Sequence, residues 1–156
     1  MTNKLPTYLV FDTETSIHNV GEDAIGDMPA SPFHPDNKIV YVGWNYSNWD
    51  SQYVGIEKHL VNFAHLKNDS EEYWVGHNIK FDLLHMYMDS DGRGHGKLIK
   101  RHIDGGQKVW DTMIVEYLLT GQQSKFVSLD KLSEKCGGTL KDSKIKEYWN
   151  SGVSTE

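Results

Sequence analysis

The sequence predicts an α/β domain with a mixed sheet, because strand-like segments come first and then alternate with helix-like ones. The early segments are rich in β-branched and aromatic residues and are separated by turn-forming residues. The later segments show the apolar spacing of helices. With 156 residues and 38% hydrophobic content, the chain can bury one core, so we expect a single domain over residues 1–156.

Five segments have the composition of strands. Thr7–Thr13 is apolar and β-branched and becomes acidic at its end, which is typical of a buried strand that emerges at the edge of a sheet. A long surface loop is predicted over Ser16–Asn37, which carries Gly, Pro, Asp and Asn without periodicity. Further strands are predicted over Lys38–Tyr46, Gln52–Glu57, Tyr73–Val75 and Val109–Asp111.

Helices alternate with the later strands. Asn78 is expected to cap a helix that ends near Met88, since its side chain can accept from the free amides of a first turn. Asp89–Gly106 is glycine-rich and polar and is predicted to be a loop or hairpin. Other helices are predicted over His59–Leu66, Thr112–Leu119 and Ser128–Cys136, the last closed by Gly137 and Gly138.

Composition narrows the class of protein. A lone cysteine, Cys136, excludes an internal disulfide and a CxxC zinc site, and no apolar stretch reaches membrane-spanning length, so we expect a cytoplasmic protein. The net charge of -6 argues against nucleic-acid binding by bulk electrostatics. Carboxylates do attract a phosphodiester when divalent cations lie between them, although an acidic surface is also common in soluble proteins.

Asp12 and Glu14 are two residues apart at the end of the first predicted strand. Side chains alternate between the faces of a strand, so both carboxylates are expected to project to the same side. Hard divalent cations such as Mg²⁺ prefer carboxylate oxygens, and the pair could share one cation. Two solvated acids at a strand end would show the same pattern.

A second polar pair follows the Tyr73–Val75 strand in the segment GHNIKFD. Asn78 and Asp82 are four residues apart and therefore lie on one helical face. Each also has an ordinary structural interpretation, Asn78 as a cap and Asp82 as an acid near a helix N-terminus. Asp111 begins a third segment, DTM, and is interpreted mainly as a structural residue at a strand end.

The segments FDTET, GHNIKFD and VWDTMIVEYLL, in this order, resemble the DnaQ-like 3′-to-5′ exonuclease superfamily, most closely the proofreading exonuclease domain of phage-type family A DNA polymerases. The resemblance implies an RNase H-like fold, in which a five-stranded mixed sheet is flanked by helices. It also implies that two divalent metal ions, Mg²⁺ or Mn²⁺, support hydrolysis of the 3′-terminal phosphodiester of single-stranded DNA. A polymerase domain would follow in the full-length protein, and a phage-encoded protein would act in the host cytoplasm.

The same resemblance assigns roles by position. Asp12, Glu14 and Asp82 correspond to the catalytic carboxylates that hold the metal ions. Asn78 and Thr15 correspond to positions near the terminal nucleotide, where they would bind substrate. His18 lies near the first motif in the chain and is expected to contact the terminal base.

One part of the family pattern has no counterpart. The third motif places an Asp four residues after a Tyr or His on a final helix, but Tyr148 is not followed by such an Asp, and no Asp occurs after Asp142. We therefore expect a domain truncated at its C-terminus that lacks the final motif-bearing helix. Hydrolysis by this chain is expected to be absent or strongly reduced, because a metal ligand is missing.

Two other functions remain open at this point. A stand-alone DnaQ-like RNA exonuclease would use the same carboxylates, and a catalytically silent binding module of a polymerase would use none of them. The pattern Gly92, Gly94, Gly96 lacks the strand-turn-helix context of a nucleotide-binding motif. Basic residues that could reach the phosphates of a single strand, or simply be solvated, are Arg93, Lys97, Lys100, Arg101 and Lys108.

Overall fold

A computed structural model describes residues 5–18, 22, 24, 26–48, 55–58, 72–88, 95–123 and 125–140. Strands and helices follow one another along the chain as the sequence predicts, with one additional helix. The strands are β1 (Tyr8–Thr15), β2 (Ile39–Tyr46), β3 (Gly55–Lys58), β4 (Tyr73–Gly76) and β5 (Lys108–Asp111). The helices are α1 (Ile79–Met88), α2 (His95–Asp104), α3 (Thr112–Leu119) and α4 (Leu129–Lys135).

The strands form one mixed, five-stranded sheet in the order β3-β2-β1-β4-β5. β2 is antiparallel to both β1 and β3, whereas β4 is parallel to both β1 and β5. The predicted α/β class with a mixed sheet is therefore confirmed, and the arrangement is consistent with an RNase H-like fold. Because β1, β4 and β5 are parallel, their carboxyl ends meet at one edge of the sheet, which is the usual position of sites in open α/β sheets.

The first strand separates its side chains by face. Leu9, Phe11 and Thr13 are buried, whereas Asp12 and Glu14 are exposed. This is the alternation expected of a strand with one face on the core. Burial of Leu9 and Phe11 holds β1 in the centre of the sheet, and the same register turns both acids outward.

The main core lies between the sheet and helices α1 and α2. Phe11 and Trp74 meet edge to face, with ring centroids 6.2 Å apart. Ile79 and Met86 of α1 and Ile99 of α2 complete this cluster, and Met86 is fully buried. Burial of these apolar side chains fixes α1 over the strands that carry the predicted acids.

The glycine-rich segment Asp89–Gly106 differs from its prediction, because residues 95–104 form the helix α2. Ile99 is buried in the core and supplies the apolar anchor that a loop would lack. Gly96 has a packing role, since a Cβ atom there would lie 2.2 Å from the backbone oxygen of Tyr87. The glycine that indicated a loop therefore permits close approach of α2 to the end of α1.

The remaining predictions divide into those confirmed and those outside the described residues. The strands at β1, β2, β4 and β5 are confirmed, as is helix α3, and β3 overlaps the predicted Gln52–Glu57. Helix α4 ends as expected, with Gly137 at a φ of 71° and the Gly138 amide donating to the Ser133 carbonyl at 2.7 Å. The predicted helix His59–Leu66 and the region of the missing final helix lie outside the described residues.

None of the helices in the described parts of the chain is long and apolar enough to cross a membrane.

Candidate active site

Asp12 and Glu14 lie at the carboxyl end of β1, both exposed and both on the face opposite the buried Thr13. Asp12 is paired across the strands with Gly43 of β2, which has no side chain to cover the carboxylate. The register shifts between Glu14 and Thr15, a bulge of the kind that redirects a strand at the rim of a sheet. The geometry thus presents two carboxylates to solvent at the edge where the parallel strands end.

Asp82 meets the same strand from the first turn of α1. Its Oδ1 accepts hydrogen bonds from the Thr13 amide at 2.9 Å and from the Thr13 hydroxyl at 2.6 Å. The side chain is buried, with 2% of its surface exposed. Asp82 is therefore held against the residue that lies between Asp12 and Glu14, and the two predicted motifs adjoin in space.

Burial raises the pKa of Asp82 from 3.8 to about 7. Loss of solvation is the largest cause, and the negative charge of Asp12 raises the pKa further, whereas the bonds from Thr13 lower it. The buried carboxyl of Asp82 is therefore harder to ionise than a solvated one. A cation near Asp12 and Asp82 would stabilise both ionised groups.

The fit of a divalent cation to this arrangement is only partial. The donors are carboxylate oxygens, which Mg²⁺ and Mn²⁺ prefer. Over the described residues, however, no group of three or more His, Cys, Asp or Glu side chains is arranged to hold a metal ion. The donor chemistry fits, whereas the described positions of Asp12, Glu14 and Asp82 do not form a closed three-ligand site.

Asn78 stands at the start of α1, where it was predicted, but its conformation differs from that of a helix cap. Its φ is 61°, in the left-handed region, whereas an N-cap residue has an extended backbone. Its amide donates to Asp111 Oδ1 at 3.0 Å. The left-handed turn, rather than side-chain capping, is therefore the structural role of Asn78 in this fold, and Asn is one of the few residue types that tolerate it.

Asp111 is the N-cap of α3 and is buried. The same Oδ1 that receives Asn78 also accepts from the Met113 amide at 2.9 Å and the Ile114 amide at 3.5 Å. One carboxylate oxygen thus joins the end of β5, the start of α3 and the turn before α1. The structural interpretation of Asp111 agrees with these contacts.

The residues before Asn78 are also fixed by packing. His77 Nδ1 lies 3.0 Å from the Thr112 hydroxyl, and its Nε2 lies 3.0 Å from the Val127 carbonyl. A Cβ atom on Gly76 would lie 3.0 Å from Ile79 Cβ, tighter than most real contacts. The segment GHN therefore connects β4 to α1 through a glycine, a bridging histidine and a left-handed asparagine.

Thr15 and His18 lie at the entrance of the long loop that follows β1. Thr15 is the last residue of the strand and is partly buried, and His18 is exposed. The His18 amide donates to Asn37 Oδ1 at 2.7 Å. The loop closes on itself where the Ser16 amide donates to the Lys38 carbonyl at 3.0 Å. Both predicted substrate-binding residues are therefore next to the acids in sequence and at the closed end of this loop.

His85 connects the loop to α1, one helical turn after Asp82. Its Nε2 donates to the Ala30 carbonyl at 2.8 Å, and its ring packs against Phe81 with centroids 4.6 Å apart. Burial lowers the pKa of His85 below 6.5. The neutral imidazole is thus the favoured form in the folded protein, and it holds the loop to the helix that carries Asp82.

The predicted basic cluster is divided between two elements and two sets of partners. Lys97, Lys100 and Arg101 are exposed on α2, and Lys100 pairs with Asp104 at 2.6 Å. Lys108 lies on β5 and pairs with Glu72. Arg93 lies outside the described residues. Two of the cations are therefore already paired, and contact of this cluster with phosphates remains a prediction.

The acids are predicted from the sequence, whereas the residues that position them are not. The sequence predicts Thr13 only as a residue of a buried strand, although the DxE spacing places it between the carboxylates. His77 and Gly76 were part of the GHN segment without an assigned function. The sequence feature that points to Gly76 and His77 is their position directly before a helix that carries an acid.

Comparison with known families identifies this chain. The 3′-5′ exonuclease family of the family A DNA polymerases matches residues 3–156. The comparisons with curated proteins and with solved structures returned no match. The family match covers β1, α1 and β5 together with the acids on or beside them. The chain therefore belongs to the 3′-5′ exonuclease family of the family A DNA polymerases.

Proposed function

We propose that this domain removes the 3′-terminal nucleotide of single-stranded DNA, as the proofreading exonuclease of a DNA polymerase. The observation that carries the proposal is the contact of Asp82 with Thr13, which brings the second acidic motif against the first. The family match over residues 3–156 supports the direction of hydrolysis. The site lies at the carboxyl edge of the parallel strands, where an extended strand has access to the exposed Asp12 and Glu14.

Within this proposal Asp12, Glu14 and Asp82 hold two divalent metal ions, Mg²⁺ or Mn²⁺. When bound, the ions supply Lewis-acid stabilisation of the scissile phosphate and lower the pKa of the attacking water. Asp12 and Glu14 provide exposed carboxylates, while Asp82 provides a buried one. Asn78, Thr15 and His18 bind the terminal nucleotide.

The level of activity is a separate part of the proposal. The family pattern includes a further Asp in its third motif, and no Asp follows Asp142 in these 156 residues. We expect hydrolysis by these 156 residues to be weak or absent, and we expect full activity when a third motif is supplied. The proposal also includes a single domain over residues 1–156, a polymerase domain in the same protein and action in the cytoplasm.

Direct metal binding tests the site independently of activity. Titration calorimetry with Mn²⁺ on the 156-residue chain should show saturable binding that is lost in Asp12→Ala. Asp104→Ala is a matched control, because Asp104 is an exposed acid on α2 that pairs with Lys100. Equal Mn²⁺ affinity in wild type and Asp12→Ala would remove the metal assignment.

A nuclease assay on a chain extended through the third motif tests the reaction. With Mg²⁺, a 3′-labelled DNA strand should release nucleoside monophosphates, whereas a 3′-blocked strand should not. Preference for RNA over DNA of the same sequence would indicate an RNA exonuclease instead. Saturable Mn²⁺ binding without hydrolysis of either strand would indicate a silent module.

A further inference from the structure

The turn that begins α1 is held from outside the helix by β5 and α3. Asp111 Oδ1 accepts from the Asn78 amide at 3.0 Å and from the Met113 amide at 2.9 Å. His77, one residue earlier, contacts Thr112 and the Val127 carbonyl. The turn is therefore held by residues that follow it in the chain, at the end of β5 and the start of α3. It leads into the helix whose Asp82 contacts β1.

The turn requires such support because Asn78 is not in a relaxed conformation. A φ of 61° lies in the left-handed region, which Asn adopts more readily than other residues with a side chain but which persists only where the surrounding structure holds it. The Asn78 carbonyl accepts from the Phe81 amide at 2.9 Å, so the same residue also starts the first helical hydrogen bond. A change in this turn would rotate or shift the first turn of α1, and Asp82 lies in that turn.

Asp111 is well suited to hold the turn and poorly placed to bind a cation. Its Oδ1 receives three backbone amides, those of Asn78, Met113 and Ile114. The described residues include no metal-binding group of which Asp111 is a member. The negative charge is therefore compensated by amide dipoles at a helix N-terminus.

We propose that Asp111 is a positioning residue, which holds the left-handed Asn78 turn so that Asp82 lies against Thr13 beside Asp12. The consequence for cation binding rests on the proposed function, whereas the position of Asp82 does not. Residues that orient metal ligands from outside the site change metal affinity by about 10–100-fold when they are removed. Asp111 acts on Asp82 indirectly, through its hydrogen bond with the backbone amide of Asn78.

The position of Asp82 can be measured without a metal. The Thr13 amide donates to Asp82, so its NMR chemical shift reports that contact. In Asp111→Ala, the Thr13 amide resonance should move toward its position in Asp82→Ala. In Asp111→Asn it should stay near wild type, because the amide oxygen of Asn can still accept from Asn78. Ile99→Ala is the control for general loss of stability, since Ile99 is a buried core residue of α2.

Asp111→Ser keeps the measurement possible if Asp111→Ala does not fold. Serine is a preferred N-cap, so α3 remains capped, while its shorter side chain loses reach to the Asn78 amide. Its Thr13 resonance should move as in Asp111→Ala. A folded Asp111→Ser or Asp111→Ala protein with the wild-type Thr13 resonance would overturn the positioning role.

Mn²⁺ titration then separates positioning from ligation. Mn²⁺ affinity should fall about tenfold or more in Asp111→Ala and Asp111→Ser and stay within about threefold of wild type in Asp111→Asn. An equal loss in Asp111→Asn with an unmoved Thr13 resonance would show that Asp111 acts through its charge, which overturns the proposal. If wild type binds no Mn²⁺ while the Thr13 resonance shifts as expected, the metal site fails and the positioning role stands.

Discussion

Thr13 donates its amide and its hydroxyl to the same oxygen of Asp82, at 2.9 and 2.6 Å. The two residues are 69 positions apart in the chain, and both are buried. This contact joins the strand that carries Asp12 and Glu14 to the helix that carries Asp82. Thr13, which lies between the two exposed acids in the chain, therefore anchors the Asp82 side chain against β1.

Removal of the Thr13 hydroxyl should weaken the fold and raise the pKa of Asp82. Thr13→Val keeps the shape of the side chain but leaves the buried carboxylate with one donor fewer, which costs about 1–3 kcal/mol. Thr13→Ser retains the hydroxyl and is the matched control. Urea denaturation at pH 8 should show a lower midpoint for Thr13→Val than for Thr13→Ser. Equal midpoints would show that the hydroxyl bond is not a stabilising contact.

Asp82→Asn should stabilise the protein when divalent cations are removed with EDTA. The folded pKa of about 7 lies above the unfolded value of 3.8, so the native state binds more protons between these pH values. Stability contributed by Asp82 therefore falls as pH rises through this window, and it is lowest above pH 7. Asparagine keeps an acceptor for Thr13 and carries no charge to desolvate.

Thermal melts across the same pH range measure this effect. The increase in melting temperature of Asp82→Asn over wild type should grow as pH rises from about 4 to about 7 and then remain constant. Asp104→Asn, which changes an exposed acid, should show no such growth. A pH-independent difference between Asp82→Asn and wild type would mean that the Asp82 pKa is not raised.

The parts of the site that could be predicted from the sequence depend on local periodicity. Asp12 and Glu14 project together because strand side chains alternate, and the start of α1 next to Asn78 follows from local helix signals. The contact of Thr13 with Asp82 depends on how α1 lies against β1, which no local pattern encodes. The left-handed Asn78 likewise depends on Asp111, a partner 33 residues later in the chain.

The error at α2 has a similar cause. The glycines around Gly96 predict a loop when only conformational freedom is considered. The same glycine is required for close packing against Tyr87, and Ile99 provides burial that offsets the low helix propensity of glycine. A tertiary contact therefore reversed a local preference.

Gly96→Ala should destabilise the protein, although Gly-to-Ala changes inside helices usually stabilise by about 0.5–1 kcal/mol. The added Cβ would lie 2.2 Å from the Tyr87 backbone oxygen, so α1 and α2 must separate. Gly138→Ala is the control, because its nearest neighbour would be an ordinary 3.4 Å away. Denaturant midpoints should fall for Gly96→Ala relative to Gly138→Ala. A higher midpoint for Gly96→Ala would contradict the close approach of the two helices.

His85 should make the loop contact sensitive to acid. Burial lowers its folded pKa below the unfolded value of 6.5, so the unfolded state binds the proton first as pH falls. The stability that neutral His85 contributes is present above pH 6.5 and is lost as pH falls below it. His85→Gln keeps an N–H donor for the Ala30 carbonyl but does not titrate, so its stability should fall less than that of wild type between pH 7 and pH 5.

Asp82 has the opposite slope in this range, so the His85 comparison is best made in the Asp82→Asn background. In that background the stability of the protein should rise with pH, and this rise should largely disappear when His85→Gln is added. Protection factors of the loop amides, including that of Asn37, should fall at pH 5 only where His85 is present, because protonation favours release of the buried ring. Identical pH profiles with and without His85 would show that the Ala30 contact does not depend on the charge of the imidazole.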